Sequence, residues 1–186
     1  MNRKWVWLVV GLCCYFSSNL ANATQLPERI EVAGTQLILN GSGARTKYLM
    51  EMYAGGLYLT EPSSKASAIQ AADAPMAIRI VISSSLVSQE KLVASINEGF
   101  QNSTGGRTTG IEPQINAFRR CFAEQISKGD VFEIAYLPGR GVIVLKNSQQ
   151  KGIIPGLAFK QAVFGIWLSD NPADADLRVA MLQGRN

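Results

Sequence analysis

The sequence predicts an α+β fold in which helices are layered on one face of an antiparallel sheet. Short apolar segments with strand character open the chain, amphipathic helical segments follow, and a further hairpin and further helices complete it. Strands and helices therefore come in groups and do not alternate as they do in a parallel βαβ sheet. No repeat, linker or low-complexity segment interrupts this order, so we expect one domain, residues 24–186, behind an N-terminal leader.

The leader, residues 1–23, has the pattern of a secretory signal peptide. Arg3 and Lys4 form a positive n-region, residues 5–16 form an apolar segment, and residues 21–23 read Ala-Asn-Ala, a typical cleavage site. The apolar segment is shorter than the ~20 residues that a membrane span needs, which favours cleavage over an uncleaved anchor. We therefore expect an exported, periplasmic protein that has no membrane span after cleavage.

The first elements of the domain follow from apolar runs and the turns between them. Residues 29–40 predict an antiparallel hairpin that turns at Ala33–Gly34. Gly41 and Gly43 then predict a loop. The chain from Arg45 to Thr60 is rich in apolar and aromatic residues and is predicted to be mostly extended.

The remaining elements are amphipathic helices and buried strands. In order, they are a short helix from about Ser64, a strand within residues 74–82, a helix capped by Ser88, a helix within residues 111–126, a hairpin that turns at Pro138–Gly141, an apolar helix within residues 156–168 and a short last helix after Pro172. The Ser88 helix shows its buried face most clearly, because Leu92, Ile96 and Phe100 recur at four-residue spacing.

Two absences limit the chemistry that this chain can carry out. It contains no histidine, which excludes Ser-His and Cys-His catalysis and histidine-ligated metals. Beyond the leader only Cys121 remains, so no intramolecular disulfide can form, and its place on a helix face predicts a buried thiol. Loss of Arg3 and Lys4 lowers the formal net charge from +4 to +2, and no basic cluster suggests a nucleic-acid partner. We expect no cofactor and no metal site.

Ser88 is open to two interpretations. With Lys91 it has the Ser-x-x-Lys spacing of histidine-free acyl-transfer enzymes. The companion motifs of those enzymes are missing, and a serine that precedes an amphipathic helix is a typical N-cap. We favour the N-cap.

Arg45 is the best candidate for a ligand-binding residue. Residues with adaptable or aromatic side chains, which suit an apolar cavity, surround it in sequence: Tyr48, Met50, Met52, Tyr53 and Tyr58. A guanidinium that faces such a cavity needs an anion, and its planar fork matches a carboxylate. The alternative is an ordinary surface arginine, solvated or ion-paired.

Two segments of the chain resemble a known family. Residues 39–59, LNGSGARTKYLMEMYAGGLYL, resemble the Gly-x-Gly-x-Arg strand and the following strand of the chalcone isomerase superfamily, and residues 159–184 are similar to the C-terminal segment of its bacterial chalcone isomerase-like branch. The helix of residues 88–100 follows in the corresponding order. The resemblance implies an open-faced β-sandwich of the chalcone isomerase type, with a ligand cleft between sheet and helices.

The resemblance also implies two alternative uses of that cleft. The plant enzymes of the superfamily cyclise chalcones to flavanones, whereas non-catalytic members bind fatty acids by their carboxylate. Arg45 matches the family arginine, and Tyr53 falls where the enzymes have a threonine and the fatty-acid binders a tyrosine. The arginine is kept and the threonine is not, which favours carboxylate binding.

Further site positions are implied on the two helical segments. Ser88 aligns near a helical tyrosine of the enzymes, Asn97 or Ser95 near their asparagine, and Ala162 near their C-terminal hydroxyl residue. The helical tyrosine is therefore not kept, and this departure also weighs against cyclisation.

The predicted function is thus non-catalytic binding of a small amphiphilic carboxylate, such as a fatty acid. One alternative is an intramolecular lyase of the chalcone isomerase type, in which Arg45 stabilises a developing oxyanion. A second alternative is an envelope interaction protein with a vestigial cleft, in which Trp167 is an exposed contact.

A shared ligand requires that Arg45 and Tyr53 come close together. Eight residues of straight strand would separate them by ~26 Å. The chain must therefore reverse between Lys47 and Met50, through a hairpin that is shorter than the family's and that no Gly, Pro, Asn or Asp marks.

Overall fold

The computed structural model describes residues 26–184, so the predicted signal peptide, residues 1–23, lies outside the described residues. The described chain forms one seven-stranded antiparallel sheet and five helices. The strands stand in the sheet in chain order, each paired with the next. This arrangement confirms the predicted α+β fold. No helix within residues 26–184 is both long and apolar enough to cross a membrane.

The bounds of the elements agree with most of the predicted ones. The strands are β1 Arg29–Val32, β2 Thr35–Lys47, β3 Met50–Leu59, β4 Met76–Ile82, β5 Val131–Leu137, β6 Gly141–Lys146 and β7 Gln149–Ile154. The helices are α1 Ala66–Ala71, α2 Gln89–Thr104, α3 Glu112–Arg120, α4 Leu157–Leu168 and α5 Ala175–Met181. Strand β7 was not predicted, because its sequence QQKGII is polar over its first half and it lies at the edge of the sheet.

The main core lies between the sheet and the helices. Alternate residues of β4 face it, namely Met76, Ile78, Ile80 and Ile82. Helices α2 and α4 contribute fully buried aromatic rings, among them Phe100, Phe159 and Phe164. A second apolar cluster contains the intervening strand residues Tyr58, Ala77 and Ala135, and it therefore lies on the opposite face of the sheet.

Gly41 and Gly43 lie within strand β2, and the prediction of a loop there was wrong. They are required for close packing of helix α5 against the strand. A Cβ on Gly41 would overlap the carbonyl oxygen of Ala180, and one on Gly43 would lie 2.8 Å from the Ala180 Cβ. The neighbouring Asn40 side chain, which is buried, fixes the same contact because its Nδ2 donates to the Met181 carbonyl oxygen at 2.8 Å.

Strands β2 and β3 are joined by the two-residue turn Tyr48–Leu49, so the chain reverses within the segment that a shared ligand requires. Both turn residues have positive φ, 53° for Tyr48 and 62° for Leu49. Hairpin turns of this kind match the twist of the strands and normally use Asn and Gly. Residues that have a Cβ are strained in this backbone conformation, by on the order of 1 kcal/mol for each residue.

Candidate functional site

Arg45 and Tyr53 are direct partners across strands β2 and β3. The guanidinium carbon of Arg45 lies 5.8 Å from the centre of the Tyr53 ring, within the range of a cation–π contact. The register shifts immediately after this pair, because Thr46 pairs with Glu51 and Met52 is passed over. Such a bulge changes the direction of the side chains beside it. Here it lies next to Arg45 and Tyr53, the two residues that were predicted to share a ligand.

The pair lines a cleft of about 380 Å³. The β2–β3 hairpin forms one side, and helix α2 with the segment that precedes it forms the other. Apolar side chains contribute much of the lining, among them Met50, Met52, Leu86, Val87 and Leu92. The volume falls within the ~300–1,000 Å³ that small-molecule sites occupy.

The cleft is positively charged overall. Arg45, Lys47 and Lys91 line it together with one acid, Glu98. Arg45 is half-buried, and among residues 26–184 no salt bridge includes it. Its Nη1 donates one long hydrogen bond, 3.5 Å, to the Ser95 hydroxyl. Most of the donors of this guanidinium are therefore available to an anion in the cleft.

Tyr53 can act as a neutral hydrogen-bond donor. Its side chain is 4% exposed, and its hydroxyl accepts a hydrogen bond from the Trp167 indole Nε1 at 2.9 Å. Burial raises the pKa of the Tyr53 hydroxyl, and the nearby Arg45 charge opposes this rise only in part. The phenol therefore keeps its proton. Because the indole occupies a lone pair of the oxygen, that proton remains available for donation to a ligand.

Trp167 is not the exposed contact that the interaction-protein alternative requires. Only 5% of the residue is exposed, and its indole N–H is used internally by Tyr53. This supporting role of Trp167 was not predicted from the sequence. The signal was present, because a tryptophan inside an otherwise apolar helix must find an acceptor for its N–H when it is buried.

Ser88 is a helix cap and does not line the cleft. Its hydroxyl accepts the backbone N–H of Lys91 at 3.3 Å, which confirms the predicted N-cap of helix α2. The Lys91 ammonium donates instead to the Leu86 carbonyl oxygen at 3.0 Å. The pair is thus not arranged as a nucleophile and its base.

Ser95, and not Asn97, faces the cleft from helix α2. The two residues are ~200° apart around the helix axis, so they cannot line one site. Asn97 lines a separate cavity of about 120 Å³ between helices α2 and α3. Ala162 is buried in helix α4 and is also absent from the cleft lining, and its carbonyl oxygen accepts from the Ser103 hydroxyl at 2.9 Å. Of the positions that the resemblance implied, the cleft brings together Arg45, Tyr53 and Ser95.

Comparisons with known proteins agree with this architecture. The sequence model of a family described as chalcone isomerase-like matches residues 19–183. A solved structure of a fatty-acid-binding protein from Arabidopsis thaliana is similar in fold, with a TM-score of 0.67 at 17% sequence identity. The likeness covers 85% of this chain and 91% of that chain, and it confirms the predicted fold of the chalcone isomerase type. No curated protein sequence matches significantly.

Proposed function

This chain belongs to the chalcone isomerase-like family, and from that premise we propose that its cleft binds a small amphiphilic carboxylate, such as a fatty acid, without transforming it. One observation carries the proposal. The half-buried Arg45 guanidinium lines an apolar cleft, and residues 26–184 supply no carboxylate partner for it. A cation in such a place favours an anionic ligand.

The polar end of the ligand would lie between Arg45 and Tyr53. The guanidinium offers a charge-assisted fork, and the Tyr53 hydroxyl offers a neutral donor beside it. A hydrogen bond to a charged group contributes about 1.5–3 kcal/mol. Lys47 and Lys91 add positive potential at the same cleft.

The apolar part of the ligand would lie against Met50, Met52, Val87 and Leu92. Unbranched methionine side chains adjust to a flexible chain, which suits acyl groups of different length. Each buried methylene contributes ~0.8 kcal/mol. The similar Arabidopsis structure, described as a fatty-acid-binding protein, supports this choice of ligand class.

Displacement of a fluorescent fatty acid tests the proposal. We expect Arg45→Gln to weaken binding about 10- to 100-fold, because it removes the charge that fixes the carboxylate. Arg140→Gln is the matched control, since Arg140 is exposed in the turn between β5 and β6 and lies outside the cleft lining. An affinity that is the same in the wild type and in Arg45→Gln would remove Arg45 from the site and overturn the proposal.

We also propose that the protein works outside the cytoplasm after removal of residues 1–23. The pattern of the leader supports this proposal. N-terminal sequencing of the protein recovered from the envelope of the original host should begin at Thr24. Recovery of an intact N-terminus from the cytoplasm would contradict it.

A further inference from the structure

An exposed apolar tip stands at the mouth of the cleft. The tip consists of residues 47–50, Lys-Tyr-Leu-Met, at the turn of the β2–β3 hairpin. Leu49 is 99% exposed and Tyr48 80%. Met50 and, across the cleft, Leu86 are also exposed. Exposed apolar side chains that lie close to one another often mark a site of contact with a protein or a membrane.

The tip carries these side chains on an unfavourable backbone. Tyr48 and Leu49 both have positive φ, in a turn for which Asn and Gly are the unstrained residues. Leu49 does not line the cleft and is almost fully exposed, so neither the fold nor the ligand explains a leucine there. Among residues 26–184 nothing contacts the Leu49 side chain enough to bury it, so a contact outside this part of the chain is the best explanation for a leucine at this position.

Two lysines at the mouth of the cleft can contact a negatively charged partner. Lys47 belongs to the tip, where its ammonium lies 5.5 Å from the Tyr48 ring centre, and Lys91 lines the cleft opposite. The acids near them are Glu98 in the cleft lining and Asp174, whose Oδ2 accepts the backbone N–H of Thr46 at 3.3 Å. The Glu51 carboxylate, which follows the tip, accepts a hydrogen bond from the Ser83 hydroxyl. Lysine and tyrosine beside protruding aliphatic side chains are the composition of protein surfaces that enter the headgroup layer of a membrane.

We propose that the tip docks the protein on an anionic lipid surface and turns the mouth of the cleft toward the acyl layer. The proposal deepens the proposed function and rests on it, because a lipid surface is where amphiphilic carboxylates accumulate. Tyr48, Met50 and Leu86 both line the cleft and are exposed at its mouth. A ligand could therefore pass from lipid to cleft along apolar side chains, without its chain entering water.

Cosedimentation of the exported protein with vesicles tests the docking. Vesicles of phosphatidylglycerol and phosphatidylethanolamine should bind the wild type, and added salt should weaken the binding. Leu49→Gly should lower the vesicle partition coefficient about tenfold or more, because it removes the most exposed apolar side chain of the tip. Lys47→Gln should lower it about fivefold on these vesicles and leave weak binding to neutral phosphatidylcholine unchanged.

A matched control removes exposed apolar surface elsewhere. Ile153 is 41% exposed on the edge strand β7, which is four strands away from β3, and Ile153→Thr should leave vesicle binding unchanged. Leu49→Gly should also raise the thermal midpoint, since glycine adopts positive φ without strain. A stabilised variant that binds vesicles less is a result that simple unfolding does not produce.

Several outcomes would overturn the docking. One is the absence of wild-type binding to the anionic vesicles, and another is equal binding by Leu49→Gly and the wild type. A third is a wild type that is dimeric and binds no vesicles, together with a monomeric Leu49→Gly. The last result would assign the tip to a second copy of the chain. Displacement of a fluorescent fatty acid in vesicle-free solution separates the two proposals, because it should be the same for Leu49→Gly and the wild type. If the wild type binds no fatty acid in vesicle-free solution, the proposed function fails, whatever the result with vesicles.

Discussion

The Trp167 indole N–H donates a hydrogen bond of 2.9 Å to the Tyr53 hydroxyl, and this contact joins helix α4 to strand β3 behind the candidate site. Both residues are buried. The Tyr53 oxygen accepts the indole N–H, so the phenol O–H must point away from the indole. Through this contact a residue that does not line the cleft sets the direction of a donor that does.

A double-mutant cycle tests that relationship. Tyr53→Phe should lower the affinity for a fatty acid about 2- to 10-fold, because one neutral hydrogen bond to the carboxylate is lost. Trp167→Phe should lower it by a smaller factor in the wild type and by nothing in the Tyr53→Phe background. Displacement titrations of the four proteins give the cycle. An equal effect of Trp167→Phe in both backgrounds would show that Trp167 acts only through general packing.

Ligand chain length provides a second prediction. Saturated fatty acids of increasing length should bind more tightly by ~4-fold for each added methylene until the cleft is filled, and then level off. The methyl ester of the best ligand should bind much less tightly, since it cannot accept the charge-assisted bonds of Arg45. Calorimetric titration of the series measures both effects. An affinity that is independent of chain length would argue against burial of the acyl group.

Packing of helix α5 on strand β2 provides a third prediction. Gly41→Ala should destabilise the protein by roughly 1–3 kcal/mol, because the added methyl group overlaps the Ala180 carbonyl oxygen. Ser42→Ala is the control, since Ser42 is the next residue in the same strand and is exposed. Urea denaturation of the three proteins provides the comparison. Equal midpoints for Gly41→Ala and the wild type would show that α5 does not pack tightly there.

Some parts of the structure could be predicted from the sequence and others could not. Hydrophobic periodicity was enough for most strands and helices, since a buried face leaves a regular pattern. The prediction from residue type failed at Gly41 and Gly43, because glycine is typical both of loops and of strands that pack closely against a helix. Hydrophobic periodicity failed at strand β7, because a solvated edge strand shows little alternation of apolar and polar residues.

Of the candidate site, only the two residues that pair across the β2–β3 hairpin could be predicted from the sequence. Arg45 was selected from its apolar and aromatic neighbours and Tyr53 from the resemblance, and the two lie together because the chain reverses at Tyr48–Leu49. The choice between Ser95 and Asn97 was not open to sequence reasoning, because it depends on how helix α2 is rotated about its axis. Trp167 joins the site across 114 residues of sequence, a separation that no local pattern encodes.

A buried lysine provides a prediction for the dependence of stability on pH. The Lys160 ammonium donates to three carbonyl oxygens at the end of helix α1, those of Ile69, Gln70 and Ala72. Burial lowers the pKa of Lys160 from 10.5 to about 8. Between these two values the unfolded chain binds the proton more strongly than the folded one, so the contribution of Lys160 to stability increases as the pH rises from 8 toward 10.5.

The comparison with Lys160→Met isolates this group. The free energy of unfolding of the wild type, relative to that of Lys160→Met, should rise between pH 8 and pH 9.5. Urea denaturation at several pH values provides the measurement. A difference that stays constant over this interval would show that Lys160 titrates normally in the folded protein.

The position of a bound carboxylate tests the central claim most directly. A crystal structure of the protein with dodecanoic acid should show the carboxylate oxygens within hydrogen-bond distance of the Arg45 guanidinium and the Tyr53 hydroxyl. The acyl chain should then lie against Met50, Met52 and Leu92. A carboxylate bound elsewhere, while the Arg45 guanidinium faces only solvent, would contradict the account.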